Sequence, residues 1–475
     1  MGSDIRSLVT KTPSALSRPS AQIAGRKRRI GRRRSQRPHR REATQRIAIL
    51  SHLRQRRAES RREFLRRVIS GYNKSRKYGA GRSDACRQIE GRETMNQLLE
   101  LQRQGQAIWL DYIHRNLITS GELKRLVEED GLRGVTSNPT IFEKAIAETK
   151  DYDESLCKLL DARAGSYDRA LYEALAVEDI QMAADTLRGV YDELDGADGF
   201  VCLEVSPDLA HDTASTIAEA RRLWKEVNRP NVMIKVPATP EGLPAIESLL
   251  AEGININITL MFSLSHYEAV ARACLRGVER APHPHGVASV ASFFVSRVDT
   301  AVDRVMEAIG SPEALALRGK IAIANTKLVY QRFREIFHGE AFAVARKRGA
   351  RVQRPLWAST SAKNPAYSDV MYVEELIGPE TINTMPPATL NAFRDHGRAR
   401  ASLQEGVKEA ETALARLKQL GIDLKVITEQ LQVDGVAAFT TSFYQMLVAI
   451  EKKCGTIKSA GSGSGREQAM RHKQE

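Results

Sequence analysis

The sequence predicts an α/β fold: a closed (β/α)8 TIM barrel with additional helices, preceded by a basic, disordered N-terminal extension. Three observations carry that expectation. From Leu101 onward, short apolar runs alternate with longer helix-spaced segments, a pattern that calls for parallel strands joined by helical crossovers. The strand candidates number eight, which is what closes such a barrel. Basic residues crowd into the first fifth of the chain. Residues 1–94 hold 27 Lys and Arg against 7 Asp and Glu, whereas the remaining 381 residues hold 45 against 51. The net charge of +14 is thus a +20 arm attached to a −6 body, and charge gives no case for nucleic-acid binding by the body.

The arm, residues 1–94, includes GRKRRIGRRRSQRPHRR, an arginine run that cannot bury itself, followed by weak helical patterning in AILSHLRQRRAESRREFLRRVI. Three readings fit it: a disordered or loosely helical extension, an RNA-binding arm, or an organelle transit peptide, since the first 41 residues hold one acid, Asp4. The composition then changes at the amphipathic segment TMNQLLELQRQGQ, and Met95 is the expected functional start. The barrel is expected over 95–456.

The strand candidates are AIWLDYI (107–113), GVTSN (134–138), GFVCLEV (199–205), NVMIKVPA (231–238), NINITLMF (255–262), VASVASFFV (287–295), RPLWAST (354–360) and TINTM (381–385). The insert between the second and third, about 140–198, has room for several helices. From Pro386 the pattern is helical, and DGVAAFTTSFYQMLVAIEKK reads as a closing helix. The segment 457–475, with GSGSGREQAMRHKQE, reads as a flexible tail. Its G-x-G spacing lacks the strand and helix of a dinucleotide loop. No stretch comes near the roughly 18 apolar residues of a membrane helix. The five cysteines, Cys86, Cys157, Cys202, Cys274 and Cys454, are scattered without a CxxC, which suits reduced thiols and a cytoplasmic location. HPH at 283–285 has no partner ligands at metal spacing, so no metal site is expected.

An active site on this fold lies where the strands end. The polar residues closing the apolar runs are Asp111 on the first, Thr136, Ser137 and Asn138 on the second, and Glu204 on the third. Lys235 follows on the fourth, Asn257 and Thr259 on the fifth, and Ser292 and Arg297 on or after the sixth. The seventh gives Ser359, Thr360 and Ser361, with Lys363 just after. Taken singly, most have structural readings: Asp111 or Glu204 as a strand-end cap or ion-pair partner, Asn257 and Thr259 as backbone partners, Arg297 as a surface residue. Lys235 is harder to explain that way, because an ammonium inside NVMIKVPAT is costly to bury unless it is paired. An inward amine has a chemical use: it attacks a ketone, forms a Schiff base, and the iminium draws electrons from a nearby C–C bond. Such chemistry needs general acid–base groups, hydroxyl partners for a polyol, and a cation if the substrate carries phosphate. One lysine, two acids, two amides and an arginine at one barrel end supply all of these.

These residues sit in motifs that resemble the transaldolase family: GVTSNPTIFEKAI, VCLEVSPDLAHDT, MIKVPAT followed by EGL, NINITLMFS, SFFVSRVD and ASTSAKNPAYSDV. IWLDYI and NTMPPATLNAFRDHG are closest to the longer bacterial form. The resemblance runs from about Met95 to Lys453, with the motifs in order, and leaves residues 1–94 without a counterpart. It implies that Lys235 is the Schiff-base lysine, that Glu204 acts through a catalytic water held by Thr259, and that Asp111 handles the proton of C–C cleavage. It further implies that Asn138 and Asn257 bind hydroxyls of the intermediate, while Ser292 and Arg297 contact substrate and phosphate. In shorter members the phosphate segment runs Ser, one residue, Arg; here it is Ser359-Thr360-Ser361-Ala362-Lys363, with Lys363 as the candidate replacement for that arginine. The implied reaction moves a dihydroxyacetone unit between sugar phosphates in the non-oxidative pentose phosphate pathway, without cofactor or metal. Two alternatives stand beside it: a Schiff-base aldolase that releases free dihydroxyacetone, and an RNA-binding protein with an inactive barrel.

Overall fold

The structure, a computed structural model, describes residues 96–162 and 169–471. The chain divides between Arg92 and Glu93, and the barrel belongs to the second unit. The expectations for residues 1–94 lie outside the described residues.

All eight strand candidates form strands: β1 (Gln106–Asp111), β2 (Gly134–Thr136), β3 (Phe200–Glu204), β4 (Val232–Pro237), β5 (Ile256–Met261), β6 (Ser289–Phe294), β7 (Arg354–Ala358) and β8 (Thr381–Met385). They pair in parallel and in sequence order, and β8 returns to β1 to close the barrel. Runs such as VMIKVP and INITLM are apolar on both sides because each strand is covered by the lumen within and helices without. Most strands stop a residue or two before the apolar run does. The second ends at Thr136, which leaves Ser137 and Asn138 in the following turn.

Helix starts carry their sequence signals. Asn138 caps Pro139–Glu148 through Oδ1, which accepts the Ile141 N–H at 3.0 Å. Asp212 caps Thr213–Val227 and Ser263 caps Leu264–Arg280 in the same way. The insert after β2 holds the helices Pro139–Glu148, Asp153–Ala162 and Arg169–Glu193. It is anchored to the short helix after β1, Arg115–Thr119, by a buried knot in which Asp179 accepts from Arg115 Nε and Tyr152 OH, both at 2.7 Å.

The lower end of the barrel is sealed by large rings and paired polar groups. Trp109 stands beside Gly134 on the neighbouring strand, and a Cβ there would meet the indole at 2.3 Å, so no other residue fits. Asp198 accepts from the Trp109 indole N–H at 2.8 Å and from Arg354 Nη1 at 2.8 Å.

At the upper end, the last helix, Leu424–Arg471, packs against the barrel mouth. Its Gln432 Nε2 donates to the carbonyls of Ala238 at 3.1 Å and Leu260 at 2.9 Å. Leu260 sits where the β5–β6 register shifts, with φ at 62°, so the glutamine satisfies a carbonyl that the bulge turns out of the ladder. This helix runs on into the stretch 457–471, where the composition suggests a flexible tail. It also corrects one expectation. Among the described residues, Leu424–Ile457 is long and apolar enough to cross a membrane by length and composition. Residues 435–450 carry no charge, but interspersed Thr, Ser and Gln disguise the run. Here the segment buries Phe439, Phe443, Met446 and Ile450 against the rest of the fold.

Candidate active site

Glu204, Lys235 and Asn257 occupy one level on three adjacent strands, since Glu204 pairs with Lys235 and Lys235 with Asn257 in the ladder register. Lys235 is 4% exposed, and its Nζ lies 3.0 Å from Glu204 Oε2 and donates to the Ser137 carbonyl at 3.0 Å. Burial pushes the Glu204 carboxyl up, and the Lys235 ammonium pulls it partly back. The ion pair answers the cost of a lysine in an apolar strand: each charge is the other's compensation.

The amine opens onto a cavity of about 410 Å³ at the upper ends of the strands. Of the strand-end candidates, Asp111, Thr136, Asn138, Lys235, Thr259, Ser292, Arg297, Ser359, Ser361 and Lys363 line it. Glu204 and Asn257 stand behind this wall. Asn257 is fully buried; its Oδ1 accepts from Ser292 Oγ at 2.6 Å and its Nδ2 donates to Cys202 Sγ at 3.2 Å. Burial pushes the Cys202 thiol up to about 12, so it stays protonated.

Asp111 Oδ1 accepts from Thr136 Oγ1 at 2.7 Å, and Thr136 Oγ1 is 2.7 Å from Thr384 Oγ1. Burial raises the Asp111 carboxyl; Lys235 and the Thr136 hydrogen bond oppose that rise. A carboxyl with a raised value close to an amine can hold a proton and return it. Thr259 Oγ1 is buried and has no hydrogen-bond partner among the described residues. A buried hydroxyl left free beside a cavity is equipped to hold a water or a substrate hydroxyl.

Arg297 and Lys363 make the far side of the cavity cationic. Burial pulls the Arg297 guanidinium down and Asp111 opposes it, and a guanidinium stays charged at working pH. No carboxylate forms an ion pair with it among the described residues; its plane lies over the Phe294 ring at 5.0 Å and near Phe439 at 5.9 Å. Lys363 Nζ donates to Ser361 Oγ at 2.7 Å, and burial, then Arg297, pulls its value down. Ser359, in a left-handed conformation at φ 55°, joins this wall to the start of the Ser296–Ile309 helix through Ser296 Oγ at 2.9 Å. The cavity also holds residues that the strand-end reading missed: Phe294, Thr384, Lys144 and Phe439. Thr384 sits one residue before the end of β8 and follows the same polar-at-the-end rule; Phe439 and Lys144 lie on helices, where that rule is silent. No group of three potential metal ligands occurs among the described residues.

Comparison with known proteins gives the family. The profile of the family described as Transaldolase/Fructose-6-phosphate aldolase matches residues 108–450. The chain is similar to the transaldolase of Thiobacillus denitrificans, at 48% identity over 75% of this chain and 100% of that one. It is similar to transaldolase 2 of a Nostoc species, at 44% over 76% and 98%, and to the transaldolase of Thermobifida fusca, at 48% over 74% and 96%. From Ile108 to Ile450, across the barrel, its lysine and the closing helix, this chain belongs to the transaldolase/fructose-6-phosphate aldolase family.

Proposed function

We propose that this chain catalyses the transaldolase reaction, with Lys235 as the residue that forms the covalent intermediate. The observation that carries the proposal is the buried Lys235 amine, 3.0 Å from a carboxylate and open to a cavity with a cationic far wall. In this reading the amine attacks the carbonyl of a ketose phosphate, and Glu204 is the neighbouring group that takes up and returns protons through a water held by Thr259. Loss of water gives the iminium. Asp111 then accepts the hydroxyl proton from the carbon β to the iminium, and the bond between the α and β carbons breaks. An aldose phosphate leaves, and a dihydroxyacetone enamine stays on Lys235. The reverse sequence adds that unit to a second aldose phosphate. Asn138 and Ser292 hold the hydroxyls, Asn257 fixes Ser292 from behind the wall by accepting from its Oγ, and Arg297 with Ser359 and Lys363 holds the phosphate by charge-assisted hydrogen bonds. Lys235 supplies the electron sink, so the scheme uses no cofactor or metal.

The substrates that fit are sedoheptulose 7-phosphate and glyceraldehyde 3-phosphate, interconverting with erythrose 4-phosphate and fructose 6-phosphate. Relatives at 42–48% identity that carry the name transaldolase, matched over 96–100% of their own length, favour transfer over release. The test is a product assay. Fructose 6-phosphate with erythrose 4-phosphate should yield sedoheptulose 7-phosphate and glyceraldehyde 3-phosphate. Accumulation of free dihydroxyacetone without sedoheptulose 7-phosphate would make the chain an aldolase and overturn the proposal.

A further inference from the structure

Phe439 reaches into the catalytic cavity from the last helix, outside the strand-end set that supplies the chemistry. Its ring centroid is 5.6 Å from Lys235 Nζ and 5.9 Å from the Arg297 guanidinium carbon, and the residue is 4% exposed. The ring is therefore a common neighbour of the two cations that hold a ketose phosphate in the proposed reaction. Its position is fixed from both sides along the helix: Gln432, two turns earlier, is pinned to the Ala238 and Leu260 carbonyls, and Ser442 accepts from Thr140 Oγ1 at 2.8 Å. An apolar face pinned beside both groups offers water no hydrogen-bond partner on that side of the cavity.

Building on the transferase reading, we infer that Phe439 is a specificity residue that keeps water from the dihydroxyacetone intermediate and so commits it to an aldose acceptor. The competing step needs only water. The enamine carbon takes a proton, water adds to the resulting iminium carbon, the C–N bond breaks, and dihydroxyacetone leaves as the free amine is restored. A smaller side chain at position 439 opens the space beside Nζ to the water that this step consumes.

The experiment compares wild type, Phe439→Leu and Phe439→Ala with fructose 6-phosphate, with and without erythrose 4-phosphate. The readout is the ratio of dihydroxyacetone released to sedoheptulose 7-phosphate formed. This ratio should rise at least tenfold in Phe439→Leu and further in Phe439→Ala. Borohydride should still trap the covalent adduct in both, which separates altered partitioning from a lost site. Val433→Ser, at a 60%-exposed position on the same helix, should leave the ratio at its wild-type value. An unchanged ratio in both Phe439 variants while wild type transfers normally would overturn this inference alone. No transfer by wild type would overturn the underlying reading and this inference with it. A residue serving only to stabilise the helix would lower both products together and leave the ratio fixed, and that outcome also counts against the inference.

Discussion

A lysine in the middle of NVMIKVPAT stands out in the sequence because its structural alternatives are physically poor. A buried ammonium needs a partner, and a barrel strand gives it one only if the neighbouring strand places an acid at the same level. Glu204 is that acid, and the β3–β4 register sets the two side by side at 3.0 Å. Asp111, Thr259 and Arg297, singled out by the same rule of polar groups closing apolar strands, line the same cavity. What the rule could not give was depth. Asn257 reads from sequence as a hydroxyl partner, yet it is bonded to Ser292 and Cys202 behind the cavity wall; whether a strand residue faces the cavity or the layer beneath depends on barrel stagger, which sequence does not print. At this scale the clearest expectation concerns Arg297, a cation facing the cavity over Phe294 with no ion-pair partner among the described residues. Charged hydrogen bonds contribute roughly 1.5–3 kcal/mol, so Arg297→Ala should cut kcat/KM for phosphorylated ketoses by about tenfold to a hundredfold. Non-phosphorylated ketoses should be nearly unaffected. Equal losses on both, measured by steady-state kinetics, would make Arg297 a structural residue.

The eight strands were the easiest elements to read, since each is a short, mostly apolar run bounded by polar turns, and the structure moves their ends by a residue or two. The closing helix was legible as a helix but not as part of the site. Its periodicity marks one buried face without saying what that face covers. It turns out to cover the β4 and β5 ends, where Gln432 satisfies two buried carbonyls and Phe439 enters the cavity. A glutamine in an amphipathic pattern looks like solvent-facing polarity, so this contact had no sequence signal. The consequence is measurable by denaturant unfolding. Gln432→Leu leaves the Ala238 and Leu260 carbonyls buried and unpaired, and each such group costs about 1–3 kcal/mol. The variant should lose stability on that scale. Wild-type stability would mean that the helix is held by its apolar face alone.

Over the whole molecule, charge and chemistry separate: residues 1–94 carry +20, while the segment from Met95 onward carries −6 and every proposed site residue. Anionic substrates could still feel the arm at low salt, but beyond roughly 10 Å exposed charges are largely screened at about 0.1 M ionic strength. A chain beginning at Met95 should therefore match the full chain in kcat/KM near physiological salt and in Tm, and should lose any affinity for RNA. Loss of activity or folding on that truncation would mean that the catalytic unit extends upstream of Met95. The central claim is nevertheless covalent and is best tested on the full chain. Borohydride added with fructose 6-phosphate should fix a three-carbon adduct, and peptide mass spectrometry should place it on Lys235 within NVMIKVPAT, with none in Lys235→Arg, whose guanidinium stays charged and cannot attack. An adduct on another lysine, or transfer activity that survives Lys235→Arg, would contradict the account.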